Sequence, residues 1–150
     1  MHKKRVLFIC IHNSARSQMA AAFLRSLGGD RFEVESAGIE PGRLNPLAVE
    51  AMRRAGVDIG GAGTQSVFEL FKSGRRFHYV ISVCDEASAE RCPIFPGVTK
   101  RLSWSFGDPW SFVGTDEQRL EQTIRIRDEI RDKVRRWIEE EKTAPTFGRR

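Results

Sequence analysis

A cysteine, five residues, an arginine and a serine stand near the start of the chain: Cys10-Ile11-His12-Asn13-Ser14-Ala15-Arg16-Ser17. A turn of this kind between a buried strand and a helix can aim several backbone N–H groups inward, and the helix dipole adds positive potential. Arg16 adds a planar fork suited to tetrahedral oxyanions. Residues Ile11, His12, Asn13, Ser14, Ala15 and Arg16 would then form an oxyanion-binding loop. A thiol at its mouth is expected to be held as the thiolate, a nucleophile. Ser17 is close enough in a wrapped loop to hydrogen-bond that sulfur, and the Asn13 amide is expected to tie the loop's own backbone. Far along the chain, Asp108-Pro109 follows Trp104-Ser105-Phe106-Gly107. An Asp on such a loop can give a proton to a leaving oxygen, and the proline limits the loop's freedom. Alone, Asp-Pro is a turn signal; the pairing with Cys10 and Arg16 gives it chemical meaning.

Two more cysteines, Cys84 and Cys92, bring the count to three. An odd number argues against a structural disulfide framework. Taken singly, each is a small buried hydrophobe. Their settings point further, because Cys10 closes one apolar run and Cys84 closes another.

The elements that must position these groups are legible. Residues 5–10 are an apolar run, expected as a strand buried on both faces. A helix is expected from Ser17 to Leu27, stopped by Gly28-Gly29. Phe32 to Ser36 alternates like a strand. Asn45-Pro46 starts a second helix, with Asn as cap and Pro in the first turn, and Gly56 ends it. Gly60 to Gly63 reads as a flexible link. Ser66 and Glu69 suggest a capping box for a short helix ending near Gly74. Phe77 to Cys84 is β-branched and aromatic, hence a strand. A polar stretch, 85–91, separates the later cysteines. Another strand falls within Val98–Phe106, and Thr115 with Gln118 caps a long final helix. That order implies one α/β domain over residues 1–142, with a central parallel four-stranded sheet and helices on both faces. A flexible tail is expected over 143–150. Ligands in such folds sit beyond the carboxyl ends of the strands, where Cys10 and Cys84 fall.

Composition excludes other classes. At 150 residues the chain suits one domain, and 40% hydrophobic with 30% charged residues is neither a disordered nor a membrane composition. The opening apolar run breaks at His12-Asn13, too short for a signal peptide, so a cytoplasmic protein with no membrane partner is expected. The net charge of +5 is modest and its basic residues do not interleave with aromatics, so no nucleic-acid partner is expected. A positive field still favours an anionic substrate.

Residues 5–17 resemble the phosphate loop of low-molecular-weight protein tyrosine phosphatases. More narrowly, they resemble the thioredoxin-coupled arsenate reductases built on that fold. Gln18-Met19-Ala20, Ser36-Ala37-Gly38-Ile39-Glu40 and Arg127-Asp128-Glu129-Ile130 agree with the reductase branch, and the similarity runs from about residue 4 to about residue 140. Both branches share the loop and the Asp-Pro acid. The phosphatases usually carry Tyr after that acid, where this chain has Trp110-Ser111-Phe112.

The resemblance implies roles. Arsenate, or phosphate or sulfate in its place, would bind the loop. Cys10 would attack arsenic while Asp108 protonates the departing oxygen. Cys84 would then attack Cys10, releasing arsenite, and Cys92 would take over the disulfide for reduction by thioredoxin. No organic cofactor and no metal is implied. Were 85–91 helical, eight steps of about 1.5 Å would hold the two cysteines about 12 Å apart. A disulfide needs Cα atoms within about 7 Å, so the segment would have to refold. This chain departs from the family pattern at three places: His12 replaces a usual Gly, Ala21 replaces a Glu that helps bind potassium in many relatives, and the gap between Cys84 and Cys92 is one residue longer. Two other readings stay open: a phosphatase acting on phosphotyrosine or small phosphomonoesters, and a non-catalytic basic binding protein.

Overall fold

Lys4–Cys10 (β1) is the strand on which the sheet is built, and the computed structural model describes residues 3–84, 90–97 and 100–143 around it. Its last five residues are buried on both sides, which explains the unbroken apolar run. Phe32–Gly38 (β2) pairs with it on one side and Tyr79–Ser82 (β3) on the other; Lys100–Ser103 (β4) closes the order β2-β1-β3-β4. Every pairing is parallel. The register sets Cys10 opposite Gly38 and Ile9 opposite Ser82, so the site-bearing ends of three strands meet at one edge.

Alternation along β1 divides the core. Val6, Phe8 and Cys10 pack with Met19, Phe23 and Leu24 of Arg16–Gly28 (α1), with Ala48 and Met52 of Pro46–Arg54 (α2), and with Ile130, Val134 and Trp137 of Asp116–Thr143 (α4). Leu7 and Ile9 face the other way, against Val67 and Leu70 of Val67–Lys72 (α3) and against Phe77, Cys92 and Phe95. Helices therefore cover both faces of one four-stranded parallel sheet.

Local signals set the element ends. α1 stops at Gly28, and Gly29 follows with φ +58°, a conformation that side chains resist. Asn45 Oδ1 accepts from Leu47 N at 2.8 Å and Pro46 opens α2. Thr115 and Gln118 cap each other reciprocally at 2.9 and 3.1 Å. Ser66 Oγ accepts from Phe68 N and Glu69 N. β3 is shorter than the apolar run 77–84, although bonds from His78 N to Arg5 O and from Val83 N to Ile9 O carry the pairing with β1 one step past each end. Among the described residues no helix is long and apolar enough to cross a membrane. The expected tail beyond Thr143 and most of the polar stretch 85–91 lie outside the described residues.

Candidate active site

The loop from Cys10 to Ala15 joins the buried end of β1 to the first turn of α1. The irregular segment following β2, residues 39–45, laces along it. Ile39 N donates to Cys10 O (3.2 Å), Glu40 N to Ile11 O (2.7 Å), Gly42 N to His12 O (2.9 Å) and Asn45 N to Ser14 O (2.8 Å). A trans peptide points its N–H opposite to its C=O. With the carbonyls drawn outward, the N–H groups of Ile11, His12, Asn13 and Ala15 turn inward, as an anion cradle requires. Gly38 is needed beneath this lacing, since a Cβ there would stand 2.8 Å from Asn13 N and Ile11 O.

Asn13 adopts φ +55° and is fully buried. Gln65 N donates to its Oδ1 at 2.9 Å, which fixes the amide orientation. Its Nδ2 then donates to Ser17 Oγ and to Ser36 Oγ, both at 2.9 Å. Ser17 Oγ, which accepts from Asn13, also lies 2.9 Å from Cys10 Sγ, so it shares a hydrogen bond with the thiol and can donate to a thiolate. Asn13 therefore ties Ser17, Ser36 and the Gln65 peptide rather than the loop's own backbone. Gln18 Nε2 adds bonds to Asn13 O (3.1 Å) and Gly63 O (2.9 Å). Gln18 and Ser36 fall in stretches that carry the family resemblance but gain a site role only here, and Gln65, which no local signal marks, is brought in by the chain after α2.

Arg16 is buried at the helix start. Its Nη1 donates to Phe106 O at 3.3 Å, and its Nη2 lies 3.7 Å from Asp108 Oδ2. The acid expected from Asp-Pro thus sits beside the arginine expected to hold the anion, 92 positions away in sequence. Asp108 Oδ1 accepts from Trp110 N at 3.0 Å, and Trp110 Nε1 donates to Ser14 Oγ at 2.8 Å. The half-buried His12 shares a hydrogen bond through Nδ1 with Glu40 O at 2.9 Å. Ala21 is fully buried in the core packed on α1.

None of the three cysteines is in a disulfide. Cys10 and Cys84, 2% and 0% exposed, belong to the same apolar cluster. Ser82 Oγ lies 3.4 Å from Cys84 Sγ. Cys92 packs with Ile9 and Val80 on the other side of the sheet, and its thiol donates to Pro93 O at 3.3 Å. Burial pushes the Cys92 thiol up from 9.0 to about 11; Arg101 opposes this and the neighbouring Cys84 adds to it. A cavity of about 150 Å³ beside Cys92 is lined by Ser82, Arg101 and Leu102 among others. Arg91, next to Cys92, pairs with Glu40 at 2.6 Å, linking it to the segment laced along the loop.

A larger cleft, about 640 Å³, opens at the amino ends of the strands between Lys3, Arg5, Arg76 and His78. Among the described residues no cysteine, serine or threonine lines it, and ligands of parallel sheets lie at the other edge. The arrangement at the carboxyl edge can bind a tetrahedral oxyanion, attack it with sulfur and protonate a leaving oxygen.

Residues 5–144 match the model of the family described as low molecular weight phosphotyrosine protein phosphatase. The arsenate reductase of Bacillus licheniformis is 40% identical over 139 residues, spanning 93% of this chain and 98% of that protein. Among solved structures, an arsenate reductase in the phosphate binding state has a TM-score of 0.74 at 29% identity, covering 91% of this chain and 98% of that one. The thioredoxin-dependent arsenate reductase of Corynebacterium glutamicum has a TM-score of 0.68 at 28% identity, covering 93% of this chain and 62% of that one.

Proposed function

The chain belongs to the low-molecular-weight phosphotyrosine protein phosphatase family, and within it we propose an arsenate reductase that passes its oxidation through three thiols to thioredoxin. The observation that carries this reading is the placement of two further buried thiols: Cys84 in the apolar cluster of Cys10, and Cys92 against Ile9 and Val80 on the other face of the same strands, beside a cavity that Ser82 also lines. Hydrolysis of a phosphomonoester has no use for either. Reduction of arsenate needs two electrons, which two thiols supply by forming a disulfide.

Arsenate lies in the cradle of residues 11–16, held by inward N–H groups and by Arg16. The Cys10 thiolate, hydrogen-bonded by Ser17, attacks arsenic. An As–S bond forms, an As–O bond breaks, and Asp108 gives the departing oxygen its proton so that water leaves. Cys84 then attacks the Cys10 sulfur. The As–S electron pair stays on arsenic, arsenite departs and a Cys10–Cys84 disulfide remains. Cys92 attacks Cys84, frees Cys10 as a thiolate and leaves a Cys84–Cys92 disulfide, which the dithiol of thioredoxin reduces. The cytoplasm, where thiols are kept reduced, is the compartment this cycle requires.

The loop and Asp108 suffice for slow phosphomonoester hydrolysis, which is the second activity of the same site. Arsenate-dependent oxidation of NADPH, coupled through thioredoxin and its reductase, tests the main reading. Wild type turns over continuously. Cys92→Ser stops after one turnover with Cys10–Cys84 visible by mass spectrometry, yet still cleaves p-nitrophenyl phosphate. Continuous arsenate turnover by both Cys84→Ser and Cys92→Ser would remove these thiols from the cycle, and no arsenate turnover by wild type, with p-nitrophenyl phosphate still cleaved, would leave the phosphatase reading in its place.

A further inference from the structure

We propose that Trp110 is a positioning residue for the acid: it clasps the turn bearing Asp108 to the oxyanion loop through Ser14. The proposal rests on Asp108 acting as the proton donor in the reading above, and it assigns work to two side chains that reading leaves idle.

Trp110 donates twice. Its backbone N–H goes to Asp108 Oδ1 at 3.0 Å, and its indole Nε1–H goes to Ser14 Oγ at 2.8 Å. The first bond occupies one carboxyl oxygen and leaves Oδ2 on the side of Arg16, where the leaving oxygen will be. The second crosses 96 positions of sequence to a serine that is 3% exposed and whose own carbonyl is held by Asn45 N. Ser111 N and Oγ also bond Asp108 O, but those contacts stay within the turn.

Among the described residues two other polar contacts join this part of the chain to the loop, and both come from Arg16: Nη1 to Phe106 O and Nη2 toward Asp108 Oδ2. An oxyanion in the cradle claims the same guanidinium. The contact that does not compete with the ligand is the indole–serine bond. Trp110 is also 37% exposed, with the Arg43 guanidinium 5.9 Å from its ring centre. An indole left that open to solvent does little for the core; its N–H is what reaches a buried partner.

The step that the clasp serves is the first one. As the Cys10 Sγ–phosphorus or Sγ–arsenic bond forms, the bond to the leaving oxygen breaks. The electron pair of that bond goes to the oxygen, and the proton on Asp108 Oδ2 follows. A displaced carboxyl slows this step most where the leaving oxygen is most basic. p-Nitrophenolate leaves with little help, whereas phenolate and hydroxide need the proton.

The test is kcat/KM for phenyl phosphate against p-nitrophenyl phosphate, in reactions that use neither Cys84, Cys92 nor a reductant. Trp110→Phe keeps a ring and removes the N–H. It should lower phenyl phosphate cleavage by about tenfold and p-nitrophenyl phosphate cleavage by about twofold, the scale of one lost hydrogen bond. Ser14→Ala should give the same split, and the double variant should fall no further than either single one. Asp108→Asn should give the largest split of all. An equal fall on both esters, no fall on either, or additive losses in the double variant overturns the clasp while leaving Asp108 as the acid. Absence of a split in Asp108→Asn removes the acid itself. Loss of arsenate reduction alone in wild type overturns the reductase reading and leaves this measurement intact.

Discussion

The oxyanion loop and the Cys92 segment border the same sheet, and they are held in opposite ways. The loop is fastened by directed bonds. Four of its carbonyls are taken by the segment 39–45 beside it, and Asn13 alone engages Ser17, Ser36 and the Gln65 peptide. The Cys92 thiol bonds to the carbonyl of the next residue, packs among apolar side chains and borders a cavity of about 150 Å³. Hydrogen bonds fix orientation, whereas apolar contact fixes proximity and tolerates rearrangement. The first suits a cradle that must match a transition state to tenths of an ångström. The second suits a sulfur that has to leave its place and reach another.

Chemistry at the fixed region should be the most sensitive to substitution. Asp108→Asn should slow cleavage of phenyl phosphate by about 10²–10⁴-fold, the usual worth of a general acid. Steady-state turnover checks this, and an unchanged rate would take Asp108 out of the mechanism. Arg16→Lys keeps the charge and loses the fork. Phosphate should then inhibit about tenfold to a hundredfold less tightly, as expected for lost charge-assisted bonds; inhibition constants at constant ionic strength give the answer.

Stability offers a direct contrast between the regions. Asn13→Ala leaves the Ser17 and Ser36 hydroxyls and the Gln65 N–H short of a buried partner, and it places alanine at φ +55°. The loss should be about 3 kcal/mol. Cys92→Ala removes one sulfur beside an existing cavity and should lose about 1 kcal/mol. Urea unfolding of the two variants checks the ranking, and equal losses would break the comparison.

A pH dependence tests the packed region by itself. Burial holds the Cys92 thiol at about 11 instead of 9.0. Above pH 9 the unfolded chain gives up a proton that the folded one keeps. The stability this group adds is therefore complete below pH 9 and is lost as pH rises to 11, by about 2–3 kcal/mol. Unfolding midpoints across that range should fall less steeply in Cys92→Ala than in wild type. In the same sense, iodoacetamide at pH 6 should label Cys10 well before Cys92, with phosphate slowing only the former.

Much of this protein is determined by short stretches of its sequence. The apolar run 5–10, the Asn45-Pro46 start, the stop at Gly28-Gly29 and the Thr115–Gln118 box each act within a few residues, so element order and the all-parallel sheet follow from local rules. Cys10, Arg16, Ser17 and Asp108 were legible for a related reason: the chemistry asks for those residue types at a loop between strand and helix. Tertiary structure decided the rest. Asn13 reaches Ser36 over 23 positions and Gln65 over 52, and Trp110 reaches Ser14 over 96. No spacing encodes such pairs, because they exist only once the register sets Cys10 against Gly38 and the chain after β4 crosses back over the loop. The division of the thiols between the two faces of the sheet belongs to the same class. It depends on which side of β1 each later segment packs, and that is settled by burial of the whole core and not by any residue near Cys84 or Cys92.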